Sequence, residues 1–88
     1  MNVVLSWTAT TDKTVTGYNI YRSETTGGPY DLIGKTAQAD FTDIPPQQNW
    51  YYVVTAFNLD GESAFSNEYL ATAPVLPAAP TSLTATVT

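Results

Sequence analysis

Apolar residues recur at every second position along nearly the whole chain, and no stretch carries the 3.6-residue period of a helix. That alternation confines the fold to β-strands, each with one face turned inward. Val3, Leu5 and Trp7 alternate with Val4, Ser6 and Thr8, which predicts a first strand. A second is expected from Val15, with Tyr18, Ile20 and Arg22 on one face, Tyr21 on the other, and Gly17 as the point of a bend or bulge. Residues 23–29 (Ser-Glu-Thr-Thr-Gly-Gly-Pro) are turn chemistry. Short strands follow over residues 32–36 and Asp40–Asp43. Two prolines at 45 and 46 must then break the ladder, because proline has no N–H to donate to it. The strongest strand spans residues 49–58, with Trp50, Tyr52, Val54 and Ala56 on one face and Tyr51, Val53, Thr55 and Phe57 on the other. Residues 59–62 read as a hairpin turn, and a return strand is expected over residues 67–72. Turn signals every 8–12 residues or so are the signature of an all-β sandwich.

Length and composition fit one small domain: 88 residues, 43% hydrophobic and only 12% charged. Disordered chains have the opposite balance. A net charge of −5 argues against nucleic acid and anionic membrane surfaces as partners. With no Cys and no His, the usual nucleophile, general base and soft metal ligands are missing. No catalytic residue, cofactor or metal site is therefore expected, and the chain reads as a non-enzyme. Its apolar runs fall far short of the ~20 residues that span a bilayer, and no export signal is read in the sequence near Met1.

The acidic residues are the one candidate chemistry. Asp40 with Asp43, or Asp60 with Glu62, has the residue types for an acid–base pair or for calcium ligands. They lack an EF-hand-like alternation, and turn-forming roles explain them better. Lys13, Arg22 and Lys35 are too scattered for a basic patch and read as solvated charges, with Arg22 within reach of a carboxylate. Tyr21, Tyr51 and Phe57 have outward parity and are candidate ligand-facing aromatics for polysaccharide rings. Cross-strand aromatic pairs also stabilise an outer sheet face with no ligand involved. The turn at residues 59–63 has no Arg-Gly-Asp, so integrin-type adhesion has no support.

Several pieces in order resemble a bacterial fibronectin type III domain: Val3-Val4-Leu5-Ser6-Trp7, Thr16-Gly17-Tyr18-Asn19-Ile20-Tyr21-Arg22-Ser23, Gly27-Gly28-Pro29-Tyr30, residues 51–58 (Tyr-Tyr-Val-Val-Thr-Ala-Phe-Asn) and Gly61-Glu62-Ser63. The resemblance implies a seven-stranded fibronectin type III or immunoglobulin-like β-sandwich. It also implies an extracellular or cell-surface setting, as in domains attached to secreted polysaccharide-degrading enzymes. Two departures matter. Trp50 stands where the family usually has a corner tyrosine, and an indole N–H can only donate. The strand order is B-C-C′-E-F-G and then A, because residues 77–88 resemble the family's first strand with its leading prolines.

The chain thus divides into a core over residues 1–72, a proline-rich linker over 73–81 with Pro74, Pro77 and Pro80, and a donor strand over 82–88. Leu83, Ala85 and Val87 form the donor's apolar face. Without a first strand, the edge carrying Val3, Leu5 and Trp7 is bare and becomes the acceptor. Three outcomes are open: fold-back as a circular permutant, insertion into a neighbour, or a stray piece of a following repeat that stays loose. Fold-back must return along the sandwich, and nine linker residues reach about 30 Å at most while eight strand residues span about 26 Å. Insertion into the next molecule needs no reversal and repeats as a head-to-tail filament. The expected partner is therefore a second copy of the chain, with polysaccharide or neighbouring domains as the alternative for an accessory spacer.

Overall fold

The computed structural model describes residues 1–74 and 77–87. Val75 and Leu76 of the expected linker and Thr88 of the expected donor strand lie outside the described residues. Seven strands follow in chain order: β1 (Val3–Ser6), β2 (Gly17–Ser23), β3 (Asp31–Thr36), β4 (Asp40–Asp43), β5 (Trp50–Asn58), β6 (Gly61–Glu62) and β7 (Tyr69–Ala71). All pairings are antiparallel. One sheet is the pair β1–β4; the other runs β3-β2-β5, with β6 and β7 both on the far edge of β5. The all-β sandwich read from the alternation is the fold observed.

The seventh strand arises differently from expectation. The return strand is split into β6 and β7, and residues 77–87 are in neither helix nor strand. Between the two pieces, serine hydroxyls replace backbone groups in the ladder. Val54 N–H donates to Ser66 Oγ and Ala56 N–H to Ser63 Oγ, each at 2.9 Å. The hydroxyls donate onward to the carbonyls of Asn67 and Ala64. The serine backbone still donates to β5, Ser63 N–H to the Ala56 carbonyl and Ser66 N–H to the Val54 carbonyl at 2.8 Å each, so only the acceptor side of the ladder passes to side chains here.

The alternation packs as predicted on the inner face. Val3, Leu5, Ile20, Trp50, Tyr52 and Ala71 form the buried core, with Met1, Trp7, Ile33, Phe41 and Val54 against it. The bulge, however, lies between Ile20 and Tyr21 against β3 rather than at Gly17, where β2 begins. Gly17 and Gly34 serve close packing. A Cβ on Gly34 would sit 2.6 Å from the Phe41 ring, and one on Gly17 2.9 Å from the Thr36 carbonyl and 3.0 Å from Phe57.

The corner bond is made despite the substitution. Trp50 Nε1 donates to the Pro46 carbonyl at 2.9 Å, so a donor-only ring suffices where the acceptor is backbone. Arg22 finds the carboxylate expected within its reach, and Asp43 belongs to that contact rather than to a turn. Arg22 Nη1 lies 2.8 Å from Asp43 Oδ2 and its guanidinium stacks 4.5 Å over the Trp50 ring. The same carboxylate oxygen accepts from Tyr52 Oη at 2.6 Å, joining β4 of one sheet to β2 and β5 of the other. Burial, reinforced by that carboxylate, pushes the Tyr52 hydroxyl well above the usual tyrosine range.

Candidate functional site

β1 has one ladder partner among the described residues, β4, and its other edge is unpaired. The direction of its free groups follows from the ladder. Trp7 N–H donates to the Ala39 carbonyl at 3.1 Å, and antiparallel strands bond through alternate residues. Val3, Leu5 and Trp7 therefore address β4, while the N–H and C=O of Val4 and Ser6 point to the open side. Side chains obey the complementary alternation: Val3 and Leu5 are buried, and Val4 and Ser6 are exposed.

Beside this edge the sandwich is open. A groove of about 290 Å³ is lined by Leu5, Trp7, Tyr52, Val54 and Tyr69 among others. A second, of about 510 Å³, is lined by Trp7, Tyr18, Val54, Ser63 and Ser66 among others. The two share Ser6, Trp7, Val54, Ser66 and Asn67, so they form one cleft between β1 and the split return strand. Among the described residues β1 has no neighbour on this side, which leaves the cleft open. Sequence reasoning named Val3, Leu5 and Trp7 for this edge but missed Ser63 and Ser66. Their spacing after Gly61-Glu62 is the signal that was available.

The other half of the expected contact is exposed. The chain stays fastened to the body as far as Ala73, whose N–H donates to Asn49 Oδ1 at 2.8 Å. Pro74, Pro77 and Pro80 are exposed, as are Leu83, Ala85 and Val87, with Leu83 and Val87 exposed to 95% and 96%. The radius of gyration is 19.2 Å and the long axis 76 Å, whereas a compact domain of this length has a radius of about 12 Å. Residues 77–87 thus form an arm that projects from the body and does not lie on β1.

The outer face of the larger sheet is occupied by its own side chains. Glu62 Oε2 accepts from Asn19 Nδ2 and Thr55 Oγ1, each at 2.6 Å, and from the Tyr21 hydroxyl. These donors hold the Glu62 carboxyl below its ordinary value, Thr55 contributing most. Glu68 accepts from Thr26 Oγ1, the Tyr30 hydroxyl and Gly27 N–H, which lower it likewise and pin the Gly27–Tyr30 loop to the return strand. Tyr21 and Tyr30 both pack edge-on against Phe65, at 5.4 and 5.1 Å between centroids. Lys35 lies 5.4 Å over Phe57. The structure therefore places Tyr21 with Phe65 and Tyr30, not in a row with Tyr51 and Phe57, which stand about 20 Å apart along β5. Asp40 and Asp43 differ in setting, the first exposed beside Ser6 in the ladder and the second in the inter-sheet network. Among the described residues, no group of three or more acidic side chains is placed to hold a metal ion. Among the same residues, no helix is long and apolar enough to cross a membrane.

Set beside known proteins, the chain matches no family model. It is 46% identical over 70 residues to an amylopullulanase of Thermoanaerobacter thermohydrosulfuricus, a match covering 75% of this chain and 5% of that protein. In the solved structure of a twitchin kinase region from C. elegans, the likeness has a TM-score of 0.70 at 23% identity, covering 83% of this chain and 14% of that one, and bears on the fold alone. The crystal structure of an Fn3-like protein from Clostridium thermocellum is similar in both respects: 30% identity and a TM-score of 0.72, over 86% of this chain and 80% of that one. Sheet topology, strand order from B to G and this whole-domain likeness agree, and the chain belongs to the fibronectin type III family.

Proposed function

We propose that the chain is a non-catalytic interaction module that assembles with copies of itself, the arm of one copy completing the open β1 edge of the next. The observation that supports this most directly is that one chain carries an unfilled strand edge and an unpartnered strand-like arm, both apolar on alternate residues. Strand addition satisfies the edge backbone and buries the apolar residues in one step. The arm from residue 73 onward has no charged side chain, so its entry into a neighbour of net charge −5 meets no repulsion of its own. The contact joins two different surfaces and does not close on itself, which gives chains of subunits.

Light scattering over a wide concentration range tests this. The mass is expected to climb above 9.5 kDa in steps of one chain, and Leu83→Asp with Val87→Asp is expected to hold it at one chain. A constant single-chain mass for the unaltered protein would overturn the proposal. The likeness to a short stretch of an amylopullulanase favours a second reading, an accessory spacer domain of a larger secreted enzyme, in contact with polysaccharide or neighbouring domains. In that reading the arm lies on its own β1. It predicts a monomer whose last strand resists hydrogen exchange and, where polysaccharide is the ligand, retention on insoluble glucan.

A further inference from the structure

On the outer face of the larger sheet, an amine, a carboxamide and a carboxylate are drawn together from three strands: Lys35 of β3, Asn19 of β2 and Glu62 of β6. We infer that this is a self-modification site, in which the Lys35 amine condenses with the Asn19 carboxamide, Glu62 carrying the proton, to leave an isopeptide cross-link between β3 and β2. The inference is independent of how copies of the chain assemble.

Asn19 supplies the electrophile. It is only 7% exposed, although it faces away from the core side of β2 that carries Ile20. Its Nδ2 donates to Glu62 Oε2 at 2.6 Å. A carboxylate only accepts, so the amide nitrogen must be the atom turned toward it. Oδ1 is left buried with no hydrogen-bond partner among the described residues. Such orphaned atoms are costly and uncommon. The arrangement fixes the nitrogen that must depart on a group able to protonate it, and it presents Cγ in a dry setting.

Lys35 supplies the nucleophile. It pairs directly with Asn19 in the β2–β3 ladder, and its Nζ lies 5.4 Å over the Phe57 ring. That ring reaches from β5 to lie over Gly17 of β2. The lysine chain thus runs across the sheet instead of out to solvent, and Nζ is brought to within one outward position of Asn19. Phe57 also pairs with Glu62, so the ammonium and the carboxylate share this part of the face. Thr55, Tyr21 and Asn19 hold the Glu62 carboxyl below its ordinary value, with the Lys35 charge adding to them, and so keep it in its basic form. An exposed lysine changes rotamer within nanoseconds, so Nζ visits Cγ repeatedly while the buried Asn19 stays fixed. Well-oriented intramolecular pairs reach effective molarities of about 10⁵ M and above.

The step balances without an oxidant or co-reactant. Glu62 takes one proton from the Lys35 ammonium, and the freed lone pair on Nζ adds to Asn19 Cγ. Glu62 returns its proton to Nδ2, the Cγ–Nδ2 bond breaks, and ammonia leaves. The new amide sheds one Nζ proton to that ammonia, which departs as ammonium and takes the charge of Lys35 with it. Closing residues 19–35 into a ring restrains the unfolded chain as a disulfide does, in a protein that has no cysteine.

Mass spectrometry of the intact protein, incubated folded at neutral pH, tests this. The mass is expected to fall below that of the sequence by one ammonia. Trypsin should then yield residues 14–22 joined to a fragment that begins at Ser23 and is uncut after Lys35. Lys35→Arg keeps a cation for Phe57 but no usable nucleophile, and Glu62→Gln keeps an acceptor for Asn19 but no base; both are expected to retain the full mass, as is the unaltered chain held in urea. A full mass for the folded, unaltered protein overturns the inference. So does ammonia loss that persists in Lys35→Arg or in urea, which would mark a succinimide closed by the backbone. Cross-linking that persists in Glu62→Gln overturns the role given to Glu62.

Discussion

Gly34 is a residue whose side chain matters by being absent. The Phe41 ring of the smaller sheet reaches across to lie where a Cβ on Gly34 would be, 2.6 Å from its nearest ring carbon. This contact holds β3 of one sheet against β4 of the other, and it requires the ring or the backbone to move if any side chain is added. Gly34→Ala is therefore expected to destabilise the domain by about 1–3 kcal/mol through overpacking, measured as a lowered urea midpoint with an unchanged slope. An unchanged midpoint would mean that Phe41 has another place to go. Little in the sequence marked this position, since a glycine in a short strand gives the same alternation whether it meets a ring, a bulge or water. Trp50 was legible as a corner residue, and only the position of the Pro46 carbonyl decided that its N–H would find an acceptor.

At the scale of elements, the alternation told which face of each strand is buried but carried little about how neighbouring strands align. β4 and β5 came out within a residue of their observed bounds. The bulge falls in β3, where Ile33 is the extra residue against the Ile20–Tyr21 step, and the alternation does not place it because register belongs to a pair of strands, whereas periodicity belongs to one. The split return strand was hidden for a related reason: serines that stand in for carbonyls read as turn residues in a sequence. The same element-level logic singles out Val4. Its N–H faces the open edge, so Val4→Pro leaves every β1–β4 hydrogen bond in place, as edge strands tolerate, yet removes a donor that the arm needs. The expected outcome is a far-ultraviolet spectrum and an unfolding midpoint like those of the unaltered protein, with the light-scattering mass held at one chain. Continued growth of Val4→Pro would show that the arm docks elsewhere. Leu5→Pro, whose N–H serves the ladder to β4, is expected to unfold the domain.

For the whole molecule, the distribution of titrating groups sets a pH range. With no His and no Cys, the side chains that ordinarily titrate between about pH 5 and 9 are missing. The acid limit comes from Asp12, Glu62 and Glu68, each held below its ordinary carboxyl value by hydroxyl, amide or backbone donors. A carboxyl with a lowered value in the folded state binds fewer protons than in the unfolded chain, so its stabilisation is present above its ordinary value and lost as pH falls through the folded value. The alkaline limit has the opposite sign. Tyr21 and Tyr30, held above 10.0 chiefly by their bonds to Glu62 and Glu68, and Tyr52, held up by burial, stabilise the fold below pH 10 and cease to do so as they ionise. Thermal unfolding is expected to give a flat midpoint from about pH 6 to 9, with a fall on each side. Glu62→Gln keeps an acceptor for Asn19, Tyr21 and Thr55 but cannot titrate, so it should flatten part of the acid limb and leave the plateau level. An acid limb identical to that of the unaltered protein would remove Glu62 from the account. The arm carries no acidic or basic side chain, so arm-driven growth should persist across the plateau. A mass that changed sharply near neutral pH would place an ionisable group in the contact, which the neutral arm and the apolar edge do not supply.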